Sequence, residues 1–187
     1  MHPLLRSVDS VVKVERVPPG STVVDPRPGD FLLVRTRGLA ARLIGPVQAV
    51  RFRSEADRPF RHWTHTALVT ASNGRLVEVV EEGVRAQSIK KYDGVEYHYV
   101  RVEATEVVRA AAATFAESCV GQPYARGAFV ALAVFAFTGW LPSVAPGDAH
   151  HCVSLVAEAL QRMAQRFDRH PIAMMPGDLA KHYGIRP

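Results

Sequence analysis

Trp63-Thr64-His65-Thr66-Ala67-Leu68-Val69-Thr70-Ala71-Ser72-Asn73-Gly74-Arg75-Leu76-Val77-Glu78-Val79-Val80 reads as two strands joined by a tight turn. Aliphatic and β-branched residues fill both arms, and Asn73-Gly74 is the strongest short hairpin signal because primed turns need positive φ. Each arm carries an ionisable residue set among aliphatics, His65 in the first and Glu78 in the second. His65 shares a face with Ala67 and Val69, and Glu78 shares one with Leu76 and Val80. A carboxylate in that setting needs a partner. Parity does not settle the register. A two-residue turn at Asn73-Gly74 pairs Glu78 with Val69 and Glu82 with His65. A four-residue loop, Ala71 to Gly74, pairs Glu78 with Ala67, diagonal to His65 at about 7–8 Å between backbones.

Outward from the hairpin, strands come first and most helices later. Val11 to Val17 alternates as a leader strand or arm, and a Pro- and Gly-rich loop follows. Phe31-Leu32-Leu33-Val34 reads as a buried strand. Gly38 to Val50 holds a short helix broken near Gly45-Pro46, and Arg51 to Arg61 is charged and irregular. A Glu81-Glu82-Gly83 break leads to Val84 to Ile89, and Glu96 to Val102 alternates as another strand. Thr105 stands as an N-cap, before a helix with Val108, Ala111, Ala112, Phe115 and Cys119 on its apolar face, stopped at Gly121-Gln122-Pro123. This order favours α+β, an antiparallel sheet packed against helices.

The second decisive stretch is Pro146-Gly147-Asp148-Ala149-His150-His151-Cys152-Val153-Ser154-Leu155-Val156. Past Cys152, apolar residues recur at Leu155, Val156, Ala159, Leu160, Met163 and Phe167, with Ser154, Glu158, Gln161, Arg162, Gln165 and Arg166 opposite. Cys152 therefore opens an amphipathic helix. The partial positive charge and free N–H groups there favour a thiolate. A single cysteine on an apolar stripe is also a common core residue, so the assignment needs an imidazole and an orienting group. Cys119, deep on its own helical stripe, reads as structural.

Composition bounds the rest. The 187 residues fit one domain with an extension, placed here as an arm over 1–27 and a catalytic domain over 28–187. Formal charge is +5, and of 23 basic residues only Lys13, Lys90, Lys91 and Lys181 are lysines. That favours anionic partners, including peripheral contact with an anionic membrane or cell wall. No basic run interleaved with aromatics points to nucleic acid. Two cysteines do not make a disulfide framework, and with no secretory leader visible a cytoplasmic setting is expected. The run Ala128 to Leu141 is apolar on every face yet short for a membrane span. It reads as a buried helix, or as the wall of a groove for an acyl chain.

Of eight histidines, His62, His65, His150 and His151 flank the two decisive stretches. A zinc site built from His62, His65, His150, His151 and Cys152 is the rival use of the same residues, although the spacing fits no dedicated zinc motif.

Three pieces occur in one order: Pro28-Gly29-Asp30-Phe31-Leu32-Leu33; then His65-Thr66-Ala67-Leu68-Val69 with Leu76-Val77-Glu78-Val79 and Gly83-Val84; then Gly121-Gln122-Pro123-Tyr124 followed by His151-Cys152-Val153-Ser154-Leu155-Val156. Over roughly residues 28–180 this resembles the circularly permuted papain-like hydrolases of the NlpC superfamily, the YiiX-like branch related to lecithin:retinol acyltransferase, in which histidine precedes cysteine. The resemblance implies Cys152 as nucleophile, His65 as base and Glu78 rather than Glu82 as orienting group. It implies Tyr124, Trp63 and His151 around the substrate, and no cofactor or metal. Cys152-Val153-Ser154 departs from the family's usual Cys-Ser-Glu, and His62-Trp63 is similar to the His-Trp of the acyltransferase relatives. The expectation is thiol-dependent chemistry on an amide, ester or thioester of a small-molecule, lipid or peptide substrate. A cell-wall peptidase or amidase, and a catalytically silent module binding cell-wall peptide or lipid, are the alternatives.

Overall fold

The computed structural model describes residues 12–124, 134 and 150–187. Six strands, β1 (Val12–Val17), β2 (Phe31–Val34), β3 (His65–Val69), β4 (Arg75–Val80), β5 (Gly83–Ser88) and β6 (Tyr97–Val102), form one sheet in the order β1-β6-β2-β3-β4-β5, antiparallel throughout. Among the described residues four α-helices with full bounds accompany it: α1 (Leu39–Arg51), α2 (Glu106–Ser118), α3 (Cys152–Arg162) and α4 (Pro176–His182). The chain is α+β.

Both faces of the sheet are covered, which is why β2 is apolar at every position rather than alternating. On one face Phe31, Leu33, Leu68, Val77 and Val100 pack against α2 and α3. On the other, Leu32, Val34, Ala67, Val69 and Leu76 meet Val23, Ile89 and Tyr92 from the connecting segments.

Pro28-Gly29-Asp30 is a structural clamp. Asp30 is fully buried, and its carboxylate accepts from Arg109 Nη1 at 2.9 Å, from Tyr99 Oη at 2.9 Å and from the amide of Val102 at 3.1 Å. Arg109 is therefore a core residue, and it rotates α2. The buried face is Arg109, Ala112, Ala113 and Ala116, whereas Ala111, expected inside, is exposed. Thr105 occupies the N-cap position without a side-chain hydrogen bond.

Two other expectations change. The helix expected to break near Gly45-Pro46 runs unbroken for 13 residues with Pro46 inside it. Proline removes one backbone bond, but Ala41, Ile44 and Val47 are buried and the Gln48 amide ties α1 to the body. Gln48 donates to Trp63 O at 2.8 Å and accepts from the Gly177 amide at 2.8 Å. In α3, Ser154, expected among the polar residues, is fully buried. That helix ends before Ala164, whose φ of 61° turns the chain out of it. The apolar run 128–141 lies outside the described residues apart from Val134.

Candidate active site

The hairpin register follows the four-residue loop. Ala67 is opposite Glu78, Leu68 opposite Val77 and Val69 opposite Leu76. Glu78 is thus diagonal to His65, and the side chains close the gap: His65 Nε2 lies 2.7 Å from Glu78 Oε2. Glu82 stands in the exposed two-residue turn between β4 and β5, where Val80 pairs with Gly83.

His65 opens β3, the strand against which α3 packs, and its imidazole feels the charge of Cys152 at the start of that helix. With Nε2 on Glu78, Nδ1 is the ring nitrogen left for sulfur. Cys152 is the first residue of α3 and is buried. Helix geometry leaves the first-turn amides of Cys152 and Val153 without intrahelical acceptors, so donors cluster beside the sulfur.

His151, expected beside the substrate, is buried and serves as the N-cap of α3. Its Nδ1 accepts from the Ser154 amide at 3.4 Å, its backbone N–H donates to Ser154 Oγ at 3.0 Å, and Nε2 donates to Ile172 O at 3.1 Å. Ser154 is buried because it completes that cap, a signal the sequence carried in its His-x-x-Ser spacing.

Glu78 is the hub of the site and is fully buried. Besides His65, its Oε2 accepts from Tyr92 Oη at 2.6 Å, and Lys91 Nζ is paired with Oε1. Lys91 and Tyr92 end a 3-10 turn, Ile89–Tyr92. Sequence reasoning passed over both. The usable signal was Ile89 and Tyr92 three residues apart after Ser88, a capped turn with one apolar face.

Burial alone would raise Glu78, but the hydrogen bonds from His65, Lys91 and Tyr92 and the charge of His65 hold it down at about 2. Burial opposes the charged forms of His65 and Cys152 too. For His65, the hydrogen bonds and charges of Cys152 and Glu78 outweigh it and raise the imidazole to about 9. For Cys152, the interactions with His151 and His65 outweigh it and bring the thiol down to about 6. Near neutral pH the resting pair is thiolate and imidazolium.

Tyr124 reaches the site by a strap. The Gly121 amide donates to Val84 O at 3.0 Å, and the Val84 amide to Gln122 O at 2.9 Å. The contact requires Gly83, where φ is +111° and a Cβ would stand 2.3 Å from Gln122 O. Tyr124 then bridges to His150. It is half-buried, and burial together with the Cys152 thiolate charge raises its phenol.

Trp63, expected on a pocket wall, is a core residue. Its indole N–H donates to Ile185 O at 3.3 Å and its ring packs on His98 with centroids 4.6 Å apart. His62 packs edge-on against Trp63 at the end of a separate 3-10 turn. Among the described residues, no group of three or more His, Cys, Asp or Glu side chains is placed to hold a metal ion, which removes the zinc arrangement there. Cys119, read as plain core, is buried but has an imidazole beside it: Sγ lies 3.6 Å from His150 Nε2. Among the described residues no helix is long and apolar enough to cross a membrane. Neither a protein-family model nor a curated protein matches the sequence.

Proposed function

We propose that the chain is a cysteine-dependent hydrolase or acyltransferase of the permuted papain-like type. The observation that carries the reading is His65, whose imidazole is hydrogen-bonded to Glu78 and is electrostatically coupled to Cys152, the first residue of the helix packed on its strand. A nucleophile, a base and a carboxylate that orients the base are the parts covalent acyl chemistry needs.

In this reading the Cys152 thiolate attacks a substrate carbonyl carbon, and the amide of Cys152 donates to the developing oxyanion. Collapse of the tetrahedral intermediate breaks the bond to the leaving group, which takes its proton from the His65 imidazolium. The product is a thioester on Cys152. Water or an acceptor alcohol, amine or thiol then gives a proton to His65 and attacks the thioester, and collapse releases Cys152 as thiolate. Glu78 keeps Nε2 engaged throughout, so that Nδ1 faces the sulfur.

The experiment is turnover of a panel of acyl esters, acyl thioesters and short peptide amides by the wild-type chain and by Cys152→Ala. The reading expects turnover of at least one class, lost in Cys152→Ala. Turnover that survives the substitution, or none on any class, counts against it. The resemblance extends the proposal to an acyl chain or cell-wall peptide as the substrate, and comparing acyl lengths from acetyl upward separates these.

A further inference from the structure

Glu78 has more partners than an orienting carboxylate needs. Oε2 meets both His65 Nε2 and Tyr92 Oη, and Oε1 is paired with the ammonium of Lys91. The two added partners come from one 3-10 turn, and that turn is tied to the hairpin. The Ile89 amide donates to Gly74 O at 2.8 Å. Gly74 has φ of +80°, and a Cβ there would lie 2.7 Å from Ile89 Cγ2. Ser88 caps the turn by accepting from the Lys90 amide at 3.3 Å, and Ile89 and Tyr92 are buried. The same Asn73-Gly74 turn that joins the arms of His65 and Glu78 therefore also seats the clamp.

The chemistry of a buried pair gives the clamp a purpose. A carboxylate facing an imidazole stabilises the imidazolium. Unopposed, a fully buried one would hold His65 in its cationic form and slow proton delivery to a leaving group. A cation on the far oxygen offsets that field. A phenol on the near oxygen occupies a lone pair and fixes the rotation of the carboxylate. Papain-like enzymes with a Cys-His-Asn arrangement orient the imidazole with an uncharged amide, and a lysine-paired glutamate approaches the same neutral acceptor by another route.

Resting on the thiol mechanism above, we propose that Lys91 and Tyr92 are positioning residues for the reaction: Tyr92 fixes the Glu78 carboxylate in the plane His65 needs, and Lys91 offsets its charge so that His65 can release its proton. Neither touches the reacting atoms, so activity alone is a poor readout.

The test follows two titrations in the full chain. One is the His65 imidazole, by NMR of labelled histidine, and the other is the rate of Cys152 alkylation against pH. Lys91→Met is expected to move the His65 midpoint to higher pH by about half a unit to one unit, because an opposing charge is lost near a half-exposed site. The onset of Cys152 alkylation should move the same way. Lys91→Arg should restore both. Tyr92→Phe should also raise the His65 midpoint. Should Tyr92→Phe fail to fold, the Lys91 pair decides, since that side chain is 41% exposed. Unmoved midpoints in Lys91→Met, with a wild-type Cys152 that still reacts as a thiolate near pH 6, would overturn this proposal and leave the mechanism standing. A wild-type His65 and Cys152 that both titrate like free side chains would overturn the mechanism, and this proposal with it.

Discussion

His65 and Glu78 meet at 2.7 Å across the β3–β4 ladder although they are not register partners, since Ala67 occupies the position opposite Glu78. The small side chain at position 67 leaves the diagonal open. A shift to the two-residue turn register would put Glu78 against Val69 and bring Glu82 to His65. The pair therefore depends on the loop from Ala71 to Gly74, closed by the Gly74 amide on Ala71 O at 3.1 Å.

The roles of the two acids are separable by substitution. His65→Ala should lower kcat by roughly six orders of magnitude, as removing a triad base does, and Glu78→Gln by roughly tenfold or more with the fold retained. Glu82→Gln should leave kcat unchanged, because Glu82 sits in an exposed turn. Steady-state kinetics on the three variants, with circular dichroism to establish folding, checks this. A damaging Glu82→Gln beside a silent Glu78→Gln would reverse the assignment.

Cys152 and Cys119 should differ in their response to pH more than in accessibility, since both are buried. Cys152 should alkylate with an onset near pH 6, where its thiol gives up the proton to His65. Iodoacetamide labelling read by peptide mapping from pH 4 to 10, about the range that brackets both titrations, gives both curves. Cys152 is expected to react much faster than Cys119 at neutral pH, and His65→Ala should move its onset upward.

The sheet and the β3–β4 hairpin are legible in the sequence because they rest on short-range rules, whereas the register that brings Glu78 rather than Glu82 to His65 is left open by them. Aliphatic and β-branched residues fill the return arm Arg75–Val80, the sequence of Tyr97–Val102 alternates, and Asn73-Gly74 marks the turn between β3 and β4. The rest depends on contacts made across the fold. Arg109 carries no local mark of burial, and it is Asp30, 79 residues away, that takes its guanidinium inside. Pro46 is a helix breaker until the Gln48 amide finds Trp63 and Gly177. Trp63 looks like a pocket residue beside His65, yet its carbonyl and indole are both spent on the core and the C-terminus. Lys91 and Tyr92 carry no local mark of the carboxylate they hold.

Glu78 should also leave a signature in stability. Its folded value near 2 lies below the ordinary value of 4.5. The carboxylate therefore contributes stability that is fully present above about pH 5 and is lost as pH falls from there toward 2. Urea denaturation midpoints measured across that range should fall more steeply for wild type than for Glu78→Gln. Parallel curves would show that Glu78 titrates as an ordinary carboxylate.

The Asp30–Arg109 pair should matter for folding rather than chemistry. Both groups are buried, and removing one partner leaves an uncompensated charge. Asp30→Asn is expected to destabilise the chain by about 3–5 kcal/mol, read from urea denaturation. A loss below about 1 kcal/mol, the range of an exposed pair, would mean that the Arg109 guanidinium is satisfied by the carbonyls of Pro28, Val102 and Ala104.

The most direct test of the account is intact-mass spectrometry of the chain quenched in acid during reaction with an activated acyl ester or thioester, followed by peptide mapping. The account predicts one acyl group on Cys152, absent in Cys152→Ala and accumulating slowly or not at all in His65→Ala. Acylation at Cys119 in preference to Cys152, or turnover with no adduct on Cys152 under any quench, would contradict it.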